Sequence, residues 1–203
     1  MKLPSAALMA GLLLISTHAN AKVEPGTEQV AITLGLANPV GNDSVDGERE
    51  AFGKPGPAFG FNCLLQLQKY LSLGGDFNYK GLGSKDAATG HGPVEIKSSA
   101  WTLLAIGRGD LMPDYNIRPY GLLGLGVGGV ARALDFSQNP GLNSSQTSGG
   151  FAFALGGGVD YDISDAWLAG AELRYNHIST SQGKIGAGSV SAFDILFIAG
   201  VKF

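Results

Sequence analysis

The chain is poor in the residues that most soluble site chemistries need, and each shortage removes a class of protein. Its single cysteine, Cys63, cannot close an internal disulfide, so no disulfide framework holds the fold. Its three histidines, His18, His91 and His177, form no metal-ligand cluster, and Asp43 and Asp46 are spaced as loop residues that meet water, so no metal is expected. Basic residues do not exceed acidic ones, 14 against 17, which argues against nucleic acid as a partner. Long apolar runs are also absent. The apolar stretch at residues 6–15 is about half of the ~20 residues a spanning helix needs, and every later apolar stretch is broken by charge or glycine. Gly124-x-Gly126-x-x-Gly129 spells a dinucleotide fingerprint, yet no helix pattern follows it, so no cofactor is expected. Arg108-Gly109-Asp110 is read as a chance tripeptide near a turn.

What the chain has in excess is glycine, 32 residues against a usual ~7%, without a Gly-X-Y period. Placed inside alternating strands, glycine at this density implies close strand packing and a narrow, curved sheet. The amino end has a different organisation. Lys2, the apolar stretch 6–15 and Ala19-Asn20-Ala21 form a secretory signal with expected cleavage after Ala21, and no cysteine follows to carry a lipid. The expected division is residues 1–21 as signal peptide and 22–203 as one domain, which keeps 13 basic and 17 acidic residues, a net charge of −4.

Eight segments alternate apolar and small or polar residues with period two. Val30, Ile32, Leu34 and Leu36 form the first apolar face, and Phe59, Phe61, Cys63, Leu65 and Leu67 the second. Leu71, Leu73, Phe77 and Tyr79 follow, against Ser72, Asp76, Asn78 and Lys80. Between Ala100 and Ile106 both parities are apolar, so a strand is expected without assigned faces. The fifth turns Leu123, Leu125 and Val127 to one side and Gly124, Gly126 and Gly128 to the other. In the sixth, Phe151, Phe153, Leu155, Val159 and Tyr161 oppose Ala152, Ala154, Gly156, Gly158 and Asp160. In the seventh, Trp167, Ala169, Ala171, Leu173 and Tyr175 oppose Gly170, Glu172, Arg174 and Asn176. The last runs through Phe193, Ile195, Phe197, Ala199, Val201 and Phe203, with Asp194, Gly200 and Lys202 opposite. An apolar face on every strand must be covered, and lipid can cover it.

Spacers 41–57, 83–93, 134–150 and 180–189 are long and polar, whereas 68–70 and 164–166 are tight and 108–117 is intermediate. The expected fold is an all-β, eight-stranded antiparallel transmembrane β-barrel with long extracellular loops and short periplasmic turns. Tyr161, Trp167 and Tyr120 are expected in the periplasmic aromatic girdle. Asp76, Lys80, Arg132, Asp160, Glu172 and Arg174 share the inward parity and are expected to pair as a polar network that leaves no open pore.

The alternating terminal strand ending in Phe203, together with Arg118-Pro119-Tyr120-Gly121 and Ala171-Glu172-Leu173-Arg174-Tyr175, resembles the small OmpA/OmpX/opacity-type outer-membrane barrels. That resemblance implies an outer-membrane location in a Gram-negative-type bacterium, export through the periplasm, and an assembly signal at Phe203, Val201 and Phe197 read by the barrel-assembly machinery. It also implies contact with outer-membrane lipid and lipopolysaccharide, and a structural or surface-interaction role in which the extracellular loops meet host or surface ligands. A second, partial resemblance carries an alternative. Arg174-Tyr175-Asn176-His177-Ile178-Ser179-Thr180 is similar to the motif of lipid A 3-O-deacylases and implies His177 as general base and Ser179 as nucleophile. Residues two apart share a strand face, and the parity puts both on the lipid side. That family's asparagine falls on Thr180 and its acidic residue near Ser191, so the triad lacks its third member and a non-enzymatic role is expected.

Overall fold

The computed structural model describes residues 25–40, 42–45, 48–51, 54–89, 92–136, 144–180 and 189–203. The expected signal peptide, cleavage site and spacer 181–188 lie outside these residues, as does His91. Ten strands form: β1 (Glu28–Val40), β2 (Asn42–Val45), β3 (Glu48–Ala51), β4 (Gly56–Gln68), β5 (Leu71–Thr89), β6 (Gly92–Asp110), β7 (Ile117–Phe136), β8 (Ser144–Asp162), β9 (Trp167–Thr180) and β10 (Ser189–Lys202). Eight close an antiparallel barrel in the order β1-β10-β9-β8-β7-β6-β5-β4, while β2 and β3 make a separate hairpin. Closure matters because a sheet with an open edge leaves backbone groups unpaired, which lipid cannot satisfy. The seam runs from Gln29↔Lys202 to Val40↔Ser191, and Phe203 continues it by donating its N–H to the Glu28 carbonyl at 3.0 Å.

The outer wall is the apolar face read from the sequence. Leu34, Phe61, Leu73, Leu123, Leu155, Leu173 and Phe197 are all exposed, as is the lone thiol of Cys63. Trp101, Leu103 and Ala105 of β6 join them, and Thr102, Leu104, Ile106, Arg108 and Asp110 point inward. Phe59 stacks on Tyr79 and Phe61 on Phe77 across β4 and β5, at 5.1 and 5.6 Å between ring centres.

The interior is only half polar, which explains why β6 looked apolar on both faces. Leu64, Leu82, Leu104, Ile106, Val130 and Ile178 form one buried apolar cluster, and Leu122, Leu168 and Ile198 belong to a second. Glycine makes room for it: a β-carbon at Gly124 would lie 3.0 Å from a methyl of Ile106 and 3.1 Å from one of Leu104.

The connections differ from the expected loop pattern. Most of the polar residues in spacers 83–93 and 134–150 belong to strands, since β5 and β6 pair as far as Thr89↔Gly92 and β7 and β8 as far as Leu134↔Ser144. Once a ladder is running, neighbouring backbones keep it going through residues whose own propensity is poor. At the opposite end the connections are residues 69–70, 111–116 and 163–166. The Lys69 ammonium bonds Asp114 at 2.7 Å, tying the first two turns together, and this bond holds Lys69 above its ordinary pKa.

Strand length sets how far each part of the wall reaches. At ~3.3 Å per residue and a tilt of ~40°, the 20 residues of β7 rise about 50 Å and the 14 of β9 about 35 Å, against an apolar band of ~25 Å. Above Ala58↔Lys80 and Gly150↔Thr180, β5 to β8 pair only with each other among the described residues. Among the described residues the loop end is therefore lopsided, with a continuous four-stranded wall on one side of the barrel mouth. Leu123→Arg, placed within the band, is expected to destabilise the lipid-embedded barrel by about 2–4 kcal/mol in urea unfolding, and Ser145→Arg on the projecting wall to be nearly neutral.

Candidate functional site: the charged lumen and a polar cluster on the outer wall

The inward face of each strand brings charge into a space about one side chain wide, so every ion must meet a counter-ion. All six residues expected there are buried: Asp76, Lys80, Arg132, Asp160, Glu172 and Arg174. Arg174 reaches from β9 across to Asp76 of β5 at 2.7 Å and also bonds Glu172 on its own strand. Lys80 does not join that group directly. Its ammonium lies 2.6 Å from Asp194 of β10, which also accepts from the Asn176 amide at 2.7 Å.

Glu172 links this upper group to a lower one. It accepts from the Tyr120 hydroxyl at 2.8 Å, and the Tyr120 ring carries the Arg108 guanidinium over its face, 3.7 Å from the centroid. Arg108 then bonds Asp110 and Asp160, each at 2.6 Å. Nearer the turns, Arg118 and Lys202 share Asp162 at 3.0 and 2.8 Å. Tyr120 is thus not in the periplasmic girdle: it has the inward parity of Arg118 and Leu122 and is 5% exposed, whereas Tyr161 and Trp167 do face outward. A β-carbon at Gly158 would lie 2.6 Å from the Tyr120 hydroxyl, so glycine there keeps the phenol's place open.

Sequence reasoning had passed over Arg108, Asp110, Arg118 and Asp162 and left Asp194 and Lys202 out of the network. Parity was the available signal for all six. Arg108 and Asp110 were set aside as a turn tripeptide, but β6 continues through Asp110 and turns both side chains inward. The inward charges named here balance, with Lys80, Arg108, Arg118, Arg132, Arg174 and Lys202 facing Asp76, Asp110, Asp160, Asp162, Glu172 and Asp194.

The outer wall holds the two residues of the esterase alternative. His177 and Ser179 share that face on β9, with Ser179 exposed and His177 half-buried. The hydrogen-bond partner of His177 is Ser191, directly opposite on β10, with Nδ1 and Oγ 2.9 Å apart. The carboxylates of these strands, Glu172 and Asp194, are in the lumen and cannot orient the imidazole. Among the described residues no group of His, Cys, Asp and Glu could hold a metal. At the seam, Phe197, Val201 and Phe203 all face outward.

The outer membrane protein beta-barrel domain family model matches residues 7–203, and the chain belongs to that family. Among solved structures it is similar to Ail, the attachment invasion locus protein of Yersinia pestis, at 15% identity and a TM-score of 0.54, over 88% of this chain and 99% of that one. It is also similar to Neisserial surface protein A, at 16% identity and a TM-score of 0.56, over 88% and 97%. The outer membrane protein OprG from Pseudomonas aeruginosa gives 18% and 0.54, over 91% and 99%. At these identities the likeness is one of fold, and with the family it supports an outer-membrane location. Curated protein sequences give no match.

Asp194→Asn strands the Lys80 ammonium in the lumen, and a cost of about 3–5 kcal/mol in unfolding free energy is expected. Lys80→Met combined with Asp194→Leu removes both charges and is expected to recover much of that loss. Mass spectra of lipid A from cells making the wild type, His177→Ala or Ser179→Ala are expected to be the same, because the imidazole has no carboxylate behind it.

Proposed function

We propose that this protein is a closed-lumen barrel whose work is surface interaction through the parts of β5 to β8 and their connections that rise above the lipid band. The observation that carries this reading is the lopsided rim: four strands of 19 or 20 residues stand beside four of 13 or 14. A barrel serving only to span lipid has no use for strands about 15 Å taller on one side. Serine, threonine, glutamine and charged residues line these extensions, including Glu95, Lys97, Asp135 and residues 144–148. Lys97 bonds both Glu95 and Asp135, at 3.3 and 3.0 Å, and so cross-links β6 and β7 there. Rigid strands presenting polar segments to the outside make a binding platform.

The filled, charge-balanced lumen argues against a pore. Six basic and six acidic inward side chains, most of them in ion pairs, in a space about one side chain wide leave little room and no net charge to conduct ions. The remaining elements follow the same reading: export by a signal peptide ending at Ala21, assembly guided by the outward face of β10, lipid and lipopolysaccharide around the wall, and a host or surface ligand at the rim. Ail is an attachment invasion locus protein by name and Neisserial surface protein A a surface protein by name, which agrees with this assignment.

Replacing residues 85–96 and 134–144 each by a short glycine-containing turn, which removes the upper part of the β5 to β8 wall, tests it. The shortened barrel is expected to fold and reach the surface, while adhesion to host cells and survival in serum fall at least several-fold. Unchanged adhesion and survival with a correctly inserted barrel would sink the reading in favour of a purely structural role. Amino-terminal sequencing of the membrane-extracted protein is expected to begin at Lys22.

A further inference from the structure

A hydroxyl or imidazole on a lipid-facing wall meets no water and must find a partner or lie at the interface. Across β9 and β10 three such groups sit together. The Tyr175 hydroxyl donates to Ser191 Oγ at 3.0 Å, and that oxygen lies 2.9 Å from His177 Nδ1. Aromatic rings surround them: Phe153 is centred 5.2 Å from the imidazole and 6.1 Å from Tyr175, and Phe193 is 5.1 Å from Tyr175. His177 stands ten residues above Trp167 on β9, about 25 Å along the membrane normal, which puts the cluster at the outer edge of the apolar band.

The geometry of these bonds limits what the cluster recognises. Nδ1 of His177 is engaged with Ser191, which leaves Nε2 as the ring nitrogen with no hydrogen-bond partner among the described residues. It donates in one tautomer and accepts in the other, and at the outer edge of the apolar band it calls for a polar partner from the lipid head region. No lysine or arginine takes part, so the recognition does not run on charge.

We propose that Tyr175, His177 and Ser191, on the aromatic bed of Phe153 and Phe193, bind the acylated sugar region of an outer-leaflet lipopolysaccharide molecule. His177 Nε2 bonds a sugar hydroxyl or, as an N–H, an ester carbonyl, and the aromatic rings lie against the apolar face of the sugar and the first methylenes of its acyl chain. A glycerophospholipid presents an ester but no ring for that bed. The site is on the wall of the barrel, so it stands whether or not the rim binds a ligand.

Native mass spectrometry of the detergent-extracted full barrel, with equal amounts of lipid A and phosphatidylethanolamine, tests this. The wild type is expected to retain lipid A preferentially, and Tyr175→Phe, His177→Phe and Ser191→Ala each to lower retention about threefold to tenfold, the range of one lost hydrogen bond. Leu65→Val, on the exposed face of β4, is expected to change nothing, and added salt to have little effect. Equal retention of the two lipids, or undiminished lipid A on His177→Phe, would overturn the proposal. Lipid A shortened by one acyl chain after contact with wild type, and intact after His177→Phe, would overturn it as a binding site and make it a hydrolytic one.

Discussion

The structure depends on one constraint, that charge enclosed by eight strands must be neutralised within reach of a single side chain. Arg174 shows what that demands. Its guanidinium spans from β9 to Asp76 on β5, strands on different sides of the barrel, and on its own strand it holds Glu172. A guanidinium has five donors in a fixed fork, so it can serve two carboxylates at once in a set geometry. Lys80, with its point charge, is given one carboxylate, Asp194. These bonds run across the lumen, perpendicular to the backbone ladder, and brace the barrel against collapse along directions that strand pairing does not control. The expense of burying so many ions argues that they are kept for uniqueness more than for stability, since apolar fillers of similar volume would be neutral or better.

The same constraint fixes where glycine goes. Tyr120 joins the upper and lower charge groups through its hydroxyl to Glu172 and its ring under Arg108, and a phenol of that size fits only where the facing strand has no side chain. Gly158 supplies that space. On the other part of the lumen Gly124 does likewise for Leu104 and Ile106. At Gly158 and Gly124 glycine thus accommodates large inward residues, and the alternation of glycine with outward leucines is what makes the fifth strand readable.

Parity was the most legible property of this chain because a period of two does not drift. Once Leu123 faces lipid, Gly124 and Arg132 must face in. Position along a strand was less legible. Tyr120 lies near a turn and was assigned by that position to the aromatic girdle, although its parity with Arg118 and Leu122 put it inside. β6 failed for a different reason: its inward Leu104 and Ile106 meet other apolar residues, so the contrast between faces vanished. Strand ends were least legible. Residues 83–93 and 144–150 have loop composition, and only pairing with a distant neighbour, which a local reading cannot see, makes most of them strand. For the outer wall, sequence brought His177 and Ser179 to one face but could not show that the imidazole turns across the ladder to Ser191.

Inside and outside obey opposite rules in this barrel, and that contrast gives the outer cluster its weight. Within the lumen charged groups find counter-ions across the barrel, as Arg174 finds Asp76. On the outer wall a side chain that packed only against acyl tails would be better replaced by an aliphatic one, as at Leu173 and Ile195 of the same two strands. Tyr175, His177 and Ser191 bond one another, but among the described residues the second ring nitrogen of His177 is left without a protein partner. At the outer edge of the apolar band the lipid head region is rich in the polar groups that such a nitrogen requires.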